Sequence, residues 1–300
     1  MTLDELNIDW AYLIERVEQL LDMGEDYLGE KLDDNAFDPE LFAEVRTFRW
    51  RSDGHGELTP VLYPDIPVSD ALFGITPQLE ALRRNTRQFL GGFPANNILL
   101  WGDRGTGKSS AVKSLLGEFA AHGLRLIEVT GNGLAQLPAI AALVREQPFF
   151  FILFCDDLSF NADDSSYREL KSLLEGGVET RPENLLVYAT SNRRHLIPEQ
   201  MSDNRGDNEI HPEEAIAEKL SLVERFGIVL HLPQIDESTY LDIVRQGVKA
   251  YDLAPDAAQL DQAALLWARQ RGGRSGRVAR QFIADFVGAL LLTTRAEDNN

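Results

Sequence analysis

The chain has 300 residues, a formal net charge of −19, and 44% hydrophobic, 26% charged and 9% aromatic residues, which allows a sizeable core and about two domains. That acidity argues against broad, non-specific nucleic-acid binding, which needs positive charge facing phosphate, although it leaves room for a local basic patch. With no apolar run of about 18 residues, no membrane span is expected. The opening Met1-Thr2-Leu3-Asp4-Glu5 is acidic where a signal peptide needs base, and one cysteine, Cys155, rules out an internal disulfide and fits a reducing cytoplasm.

Residues 1–40 hold thirteen Asp and Glu against only Arg16 and Lys31, an acidic head on a more balanced body. Leu3, Leu6, Trp10, Leu13, Ile14, Val17, Leu20 and Leu21 recur at helical spacing, and Thr2 with Glu5 can form a capping box. A second helix is expected at Asp38-Pro39, carrying Leu41, Phe42, Val45 and Phe48. Such stripes either pack on the main domain or, for the first helix, dock a protein partner or a neighbouring subunit. Gly54, Gly56, Pro60, Pro64 and Pro67 make residues 51–70 read as a linker, so an extension over 1–68 precedes a domain over 69–232. Thr76-Pro77 opens a helix that ends near Gly91-Gly92.

Strands are then expected at Asn97–Trp101, Leu124–Val129, Phe149–Phe154, Asn184–Ala189 and Ile228–Leu232, with helical stretches between them. Their nearly continuous apolar centres suit a parallel sheet covered on both faces, a doubly wound α/β domain. After Pro233 three helices, Asp236–Tyr251, Leu260–Arg271 and Ser275–Thr293, make a small all-helical domain over 233–300. The polar end, Ala296 to Asn300, is expected to fray.

The most informative run is Gly102-Asp103-Arg104-Gly105-Thr106-Gly107-Lys108-Ser109, a complete G-x-x-x-x-G-K-[ST] phosphate-binding loop between a strand and a helix beginning Ser110-Ala111-Val112. The glycines let backbone N–H groups turn inward, and the helix adds its positive end. Lys108 is expected to reach the β- and γ-phosphates, and Ser109 to hold Mg²⁺.

A second apolar run ends in Cys155-Asp156-Asp157. Asp156 suits the Mg²⁺-supporting acid, and Asp157 either aligns the attacking water as general base or caps the next turn. Cys155 reads as core, not nucleophile. A third run ends in Ala189-Thr190-Ser191-Asn192, where Asn192 either bonds the γ-phosphate or the water, or caps the turn before Arg193-Arg194.

Arg225, in Glu224-Arg225-Phe226-Gly227, is either an arginine finger or half of an ion pair with Glu218 or Glu224. Arg277 follows Arg271-Gly272-Gly273-Arg274-Ser275-Gly276 in the first turn of a helix, where a cation opposes the macrodipole, so a phosphate-binding role is expected. Arg269, Arg271, Arg274, Arg277 and Arg280 also make a basic cluster for nucleic acid, the weaker reading without interleaved aromatics.

Phosphate loop, Asp-Asp strand, Ser-Asn strand, Arg-Phe-Gly and a helical domain with Gly-Arg, in that order, resemble the AAA+ ATPases over roughly residues 70–293. The runs Phe154–Phe160 and Ala189–Pro198 closely resemble one bacterial AAA+ family of unknown cellular role. The resemblance implies a five-stranded parallel sheet in 5-1-4-3-2 order with a helical lid. It also implies Walker A residues Lys108 and Ser109, Walker B Asp156, sensor 1 Asn192, finger Arg225 and sensor 2 Arg277. Leu72-Phe73-Gly74-Ile75 looks like the segment lining the adenine pocket, and Ser110 continues the phosphate-loop helix.

ATP, Mg²⁺ and a homo-oligomer formed on ATP binding are thus the expected cofactors and assembly. Where most AAA+ proteins have Glu after the Walker B Asp, this chain has Asp157, one methylene shorter, which leaves slow hydrolysis open. Glu199 to Glu214 is a long polar connection of the kind that often carries function. No pore-loop aromatic motif supports a threading unfoldase, and no Asn-Lys-x-Asp motif supports a GTPase. The expected function is ATP hydrolysis that remodels or regulates a partner. The alternatives are a nucleotide-dependent binding switch, a nucleic-acid loader and a small-molecule kinase.

Overall fold

The computed structural model describes residues 16, 17 and 19, 37–54, 56–159, 166–175, 180–193 and 222–298. Met1–Glu40 and Leu41–Asn300 are two compact units. In the first, Arg16, Val17 and Gln19 are helical, and Asp38 Oδ1 accepts the Glu40 N–H at 2.9 Å. The rest of the expected first helix, with its Thr2-Glu5 box, lies outside the described residues. So do Phe160, residues 194–198, the 199–214 segment and Glu218.

The second unit is built on one seven-stranded sheet. Its strands are β1 (Thr47–Arg51), β2 (Glu57–Pro60), β3 (Ile98–Trp101), β4 (Leu124–Val129), β5 (Phe150–Cys155), β6 (Leu185–Ser191) and β7 (Ile228–His231), in spatial order β2-β1-β4-β5-β6-β3-β7. Among the described residues only β1 and β2 pair antiparallel. The sheet is therefore larger than the five strands expected.

The two added strands correct the reading of residues 38–60. The helix expected at Asp38-Pro39 is a single turn, Leu41–Glu44, and Phe48 belongs to β1. From Phe48 to Arg51 buried and exposed residues alternate as in a half-covered strand, and Gly54 and Gly56, both at positive φ, turn the chain into β2. Pro60 ends the outermost strand, where a missing N–H costs no ladder bond. Arg49 pairs with Glu128 of β4 at 2.7 Å, and Trp50 Nε1 donates at 2.7 Å to Gln136 Oε1 in the turn after β4, so side chains as well as backbone hold β1 in place.

Among the described residues seven longer helices accompany the sheet: α1 (Thr76–Leu90), α2 (Lys108–Phe119), α3 (Leu137–Val144), α4 (Ser166–Glu175), α5 (Glu237–Lys249), α6 (Ala257–Gln270) and α7 (Gly276–Asp298). On one sheet face Ile98, Leu100, Leu126, Ile152, Phe154, Leu186 and Tyr188 meet Leu79, Leu82 and Phe89 of α1 and Ala111, Val112 and Leu115 of α2. The alternate residues Leu99, Ile127, Leu153 and Val187 are equally buried, as a two-sided sheet requires.

The C-terminal helices enclose a separate core of Tyr240, Val244, Leu260, Ala264, Phe282 and Ile283. Asp236 and Asp256 cap α5 and α6 by accepting the N–H groups of Thr239 and Gln259. Caps move both starts from the expected positions: α5 begins at Glu237 and α6 at Ala257.

Asn85 locks α1 to the sheet. It donates to Asn96 O at 2.8 Å and Tyr188 Oη at 3.0 Å, and accepts the Asn96 N–H at 3.0 Å. Tyr188 lies two residues before Thr190, so this network anchors the strand that ends in the site. We expect Asn85→Leu to lose about 2–4 kcal/mol of stability in denaturant unfolding, since buried polar groups lose their partners.

Candidate functional site

The strands β3, β5 and β6 deliver their C-terminal ends side by side, the place where doubly wound sheets bind ligands. The loop after β3 depends on glycine at two places. A Cβ on Gly102 would lie 2.3 Å from Leu232 O, and one on Gly105 would lie 2.8 Å from Ser275 Cβ, at φ +80°. Gly105 O also accepts the Gly276 N–H at 2.9 Å, so the phosphate loop touches the start of α7 directly. The Ser275 hydroxyl accepts the Val278 N–H at 3.2 Å and caps that helix.

Lys108 is only 7% exposed. Its Nζ donates to Gly102 O at 2.7 Å, Asp103 O at 2.8 Å and Asn192 Oδ1 at 3.0 Å. Burial lowers its pKa, opposed by attraction to Asp157, Asp156 and Asp103. The Asp103 carbonyl also accepts from Thr106 Oγ1 at 2.9 Å, while its carboxylate accepts from Gln234 Nε2.

The acids form the other half. Ser109 Oγ and Thr190 Oγ1 each donate to Asp156 Oδ1 at 2.6 Å. The Asp157 N–H donates to Thr190 Oγ1 at 2.8 Å, and Asn192 Nδ2 donates to the Asp157 carboxylate. From Lys108 through Asn192, Asp157, Thr190 and Asp156 to Ser109, the hydrogen bonds run in one chain whose two ends are sequence neighbours, so the peptide bond between them completes a ring.

Around this ring lies a polar cavity of about 450 Å³, lined by Arg104, Gly105, Gly107, Lys108, Ser109, Ser110, Asp156, Asp157, Asn192 and Arg277 among others. The structure thus brings most of the expected residues together. It adds Asp65, Lys113, Thr190 and Arg280. Arg280 is legible in sequence as the residue one turn after Arg277, on the same helical face. Thr190 is visible there only as a hydroxyl near Asn192, and nothing in the sequence around Asp65 signals its place.

Beside it is a more apolar cavity of about 480 Å³, whose lining includes Leu72, Phe73, Ile75, Gly107, Ile243 and Ile283. Gly74 is not in the lining. It stands at φ +75°, where a Cβ would lie 3.0 Å from Thr239 Cγ2.

Arg225 does not line either cavity. It pairs with Glu175 at the end of α4, and of the two ion-pair partners expected for it, Glu218 lies outside the described residues. The five clustered arginines also separate. Arg277 and Arg280 face the phosphate-loop cavity, whereas Arg269, Arg271 and Arg274 line another, with Arg274 paired to Glu237 at 3.0 Å.

Cys155, next to the acids, is fully buried, and burial pushes its thiol up to about 12. We expect it to remain unreactive toward a disulfide reagent at about pH 8 in the folded chain and to react once unfolded, because only the thiolate attacks.

The family model described as "Protein of unknown function (DUF815)" matches residues 43–290. Among solved structures, the RuvB Holliday junction branch migration motor of Thermotoga maritima aligns with a TM-score of 0.53 at 15% identity, over 76% of this chain and 66% of that one. A point mutant of the same RuvB aligns at 0.51 and 15% identity, over 72% of this chain and 64% of that one. The chain spans just under two thirds of the length of these structures. No curated protein matches it. The likeness is one of fold, and the fold is that of the AAA+ ATPases, as the motif order implied. Among the described residues no helix is long and apolar enough to cross a membrane.

Proposed function

We propose that this chain, which belongs to the DUF815 family, is an ATPase that hydrolyses ATP with Mg²⁺ at a subunit interface to remodel or regulate a protein partner. The observation that carries this reading is the convergence of Lys108, Ser109, Asp156, Asp157, Asn192 and Arg277 on one cavity. The run β7-β3-β6-β5-β4 supports it too, being the 5-1-4-3-2 order of the AAA+ sheet. The C-terminal helices would then be the lid, tied to the phosphate loop at Gly105 and Gly276.

ATP would place its phosphates against Lys108, the loop N–H groups and Arg277, with adenine in the apolar cavity beside Ile75. Lys108 would exchange loop carbonyls for β- and γ-phosphate oxygens. Mg²⁺ fits the donors present, because Ser109 Oγ and Asp156 Oδ1 are hard oxygen ligands 2.6 Å apart and the ion commonly binds one or two carboxylates plus substrate phosphates. Bound there, it neutralises charge on the phosphates.

Asp157 would align the attacking water and accept its proton, and Asn192 would orient both. Arg225, turned away from its own site, would leave Glu175 and stabilise the transferring phosphoryl group of the next subunit. Assembly on ATP binding follows from that division of labour. The acidic head is the candidate surface for the partner, and the single buried thiol suits the cytoplasm.

A slow-hydrolysing switch is the second reading. Asp157 motivates it, being a short carboxylate already engaged by Asn192. A shift of about 1 Å at such a base can cost on the order of a hundredfold in rate.

Specific ATPase activity should rise with protein concentration and vanish in Lys108→Ala. Arg225→Ala should bind ATP yet lose about a thousandfold or more in turnover. Mixing the two variants should restore part of the activity, since one supplies the loop and the other the finger; full activity in Arg225→Ala alone would remove the finger. Asp157→Glu separates the readings. Turnover raised about tenfold or more would mark Asp157 as a brake and favour the switch, and unchanged turnover would remove its motive.

A further inference from the structure

Thr190 touches both acids of the site with one oxygen. It lies in β6, is 1% exposed, and has no role in the phosphate-loop chemistry described above. A backbone amide can only donate and an ionised carboxylate can only accept, so the directions are fixed: Oγ1 accepts the Asp157 N–H at 2.8 Å and gives its proton to Asp156 Oδ1 at 2.6 Å.

The backbone around it repeats the tie. Leu158 N donates to Thr190 O at 2.7 Å, and Ser191 Oγ donates to Leu158 O at 2.9 Å. Asp157, enclosed by these contacts, stands at φ +54°, in the left-handed region. Aspartate tolerates that region better than most residues, but a non-glycine residue keeps it only when its surroundings impose it.

We propose that Thr190 is a positioning residue that sets the geometry of Asp156 and Asp157 together. Its hydroxyl shares Asp156 Oδ1 with Ser109, which fixes the plane of the carboxylate and leaves Oδ2 unused by either bond. By holding the Asp157 N–H it stabilises the left-handed turn from which the short Asp157 carboxylate meets Asn192. A longer Glu could reach a water by extending its side chain. Asp157 has one methylene less to adjust with, so its backbone must be placed for it. The catalytic half of this inference rests on the ATPase reading, whereas the positional half rests on the geometry alone.

Thr190→Val keeps the shape and removes the hydroxyl; Thr190→Ser keeps the hydroxyl and removes the methyl. Two readouts on the full chain decide the matter: steady-state ATP hydrolysis with varied Mg²⁺, and amide hydrogen exchange at Asp157. Thr190→Val should lower kcat by about tenfold to a hundredfold while KM for ATP moves less than about threefold. It should speed Asp157 exchange by about tenfold or more, with Thr190→Ser close to wild type in both respects.

Unchanged Asp157 exchange in Thr190→Val would overturn the positional claim. Unchanged kcat would overturn the catalytic one. Equal damage in Thr190→Ser would assign the effect to methyl packing and overturn both. If wild type hydrolyses no ATP, the ATPase reading fails separately, and Asp157 exchange still decides whether Thr190 holds the turn.

Discussion

A primary ammonium almost out of contact with water is the constraint on which the site is built. Lys108 sits at the first turn of α2, at the end of the helix where the macrodipole is positive and unfavourable to it. Burial adds a second cost to the charged form. Two loop carbonyls and an amide oxygen answer the first, and Asp103, Asp156 and Asp157 answer both through their field. The carbonyls of Gly102 and Asp103 can face Lys108 only in a loop that folds over the side chain. That in turn demands the glycines, with Gly102 against Leu232 and Gly105 against Ser275. One buried charge thus accounts for the loop carbonyls turned toward it and for the three carboxylates in its field.

The same arrangement determines what the site can exchange. Three of the groups that would meet a nucleotide already have partners of similar chemistry: Lys108 has carbonyls, Ser109 has Asp156, and Asn192 has Asp157. A ligand therefore gains only the difference between its contacts and those it replaces. That difference favours multiply charged oxyanions, since charge-assisted bonds to phosphate exceed those to neutral carbonyls. A neutral ligand would have to break the bonds of Lys108 without replacing their strength. Selection for a polyanion is in this sense a property of the protein's own hydrogen bonds, and it complements the glycine loop.

How much of this is legible in the sequence varies with the range of the interaction. The phosphate loop, the acid pair after β5 and Asn192 after β6 are local signals, each a few residues at the end of an apolar run, and strands that end together in a parallel sheet must bring them together. The hairpin at 47–60 reads as linker because Gly54, Gly56 and Pro60 punctuate loops and edge hairpins alike. What distinguishes them is pairing with β4, whose partner residues lie about 80 positions away, as Arg49 and Glu128 show. Glu175 is invisible for the same reason: no spacing rule connects it to Arg225, 50 residues on. Thr190 escapes differently. It stands in a recognisable motif, but Thr is also an ordinary strand residue, and only its distances to two acids separate the roles.

Asp157 is where side-chain length and backbone position act on one carboxylate. Side-chain length alone makes it a deficient glutamate, and on that view hydrolysis should be slow. Backbone position changes the comparison, because a carboxylate's reach is set by the turn that carries it as well as by its methylenes. At φ +54°, with its amide held by Thr190, Asp157 presents its carboxylate to Asn192. Aspartate is also the acid better suited to left-handed backbone. The residue type and the turn that carries it are therefore read together, since the reach of this carboxylate depends on both.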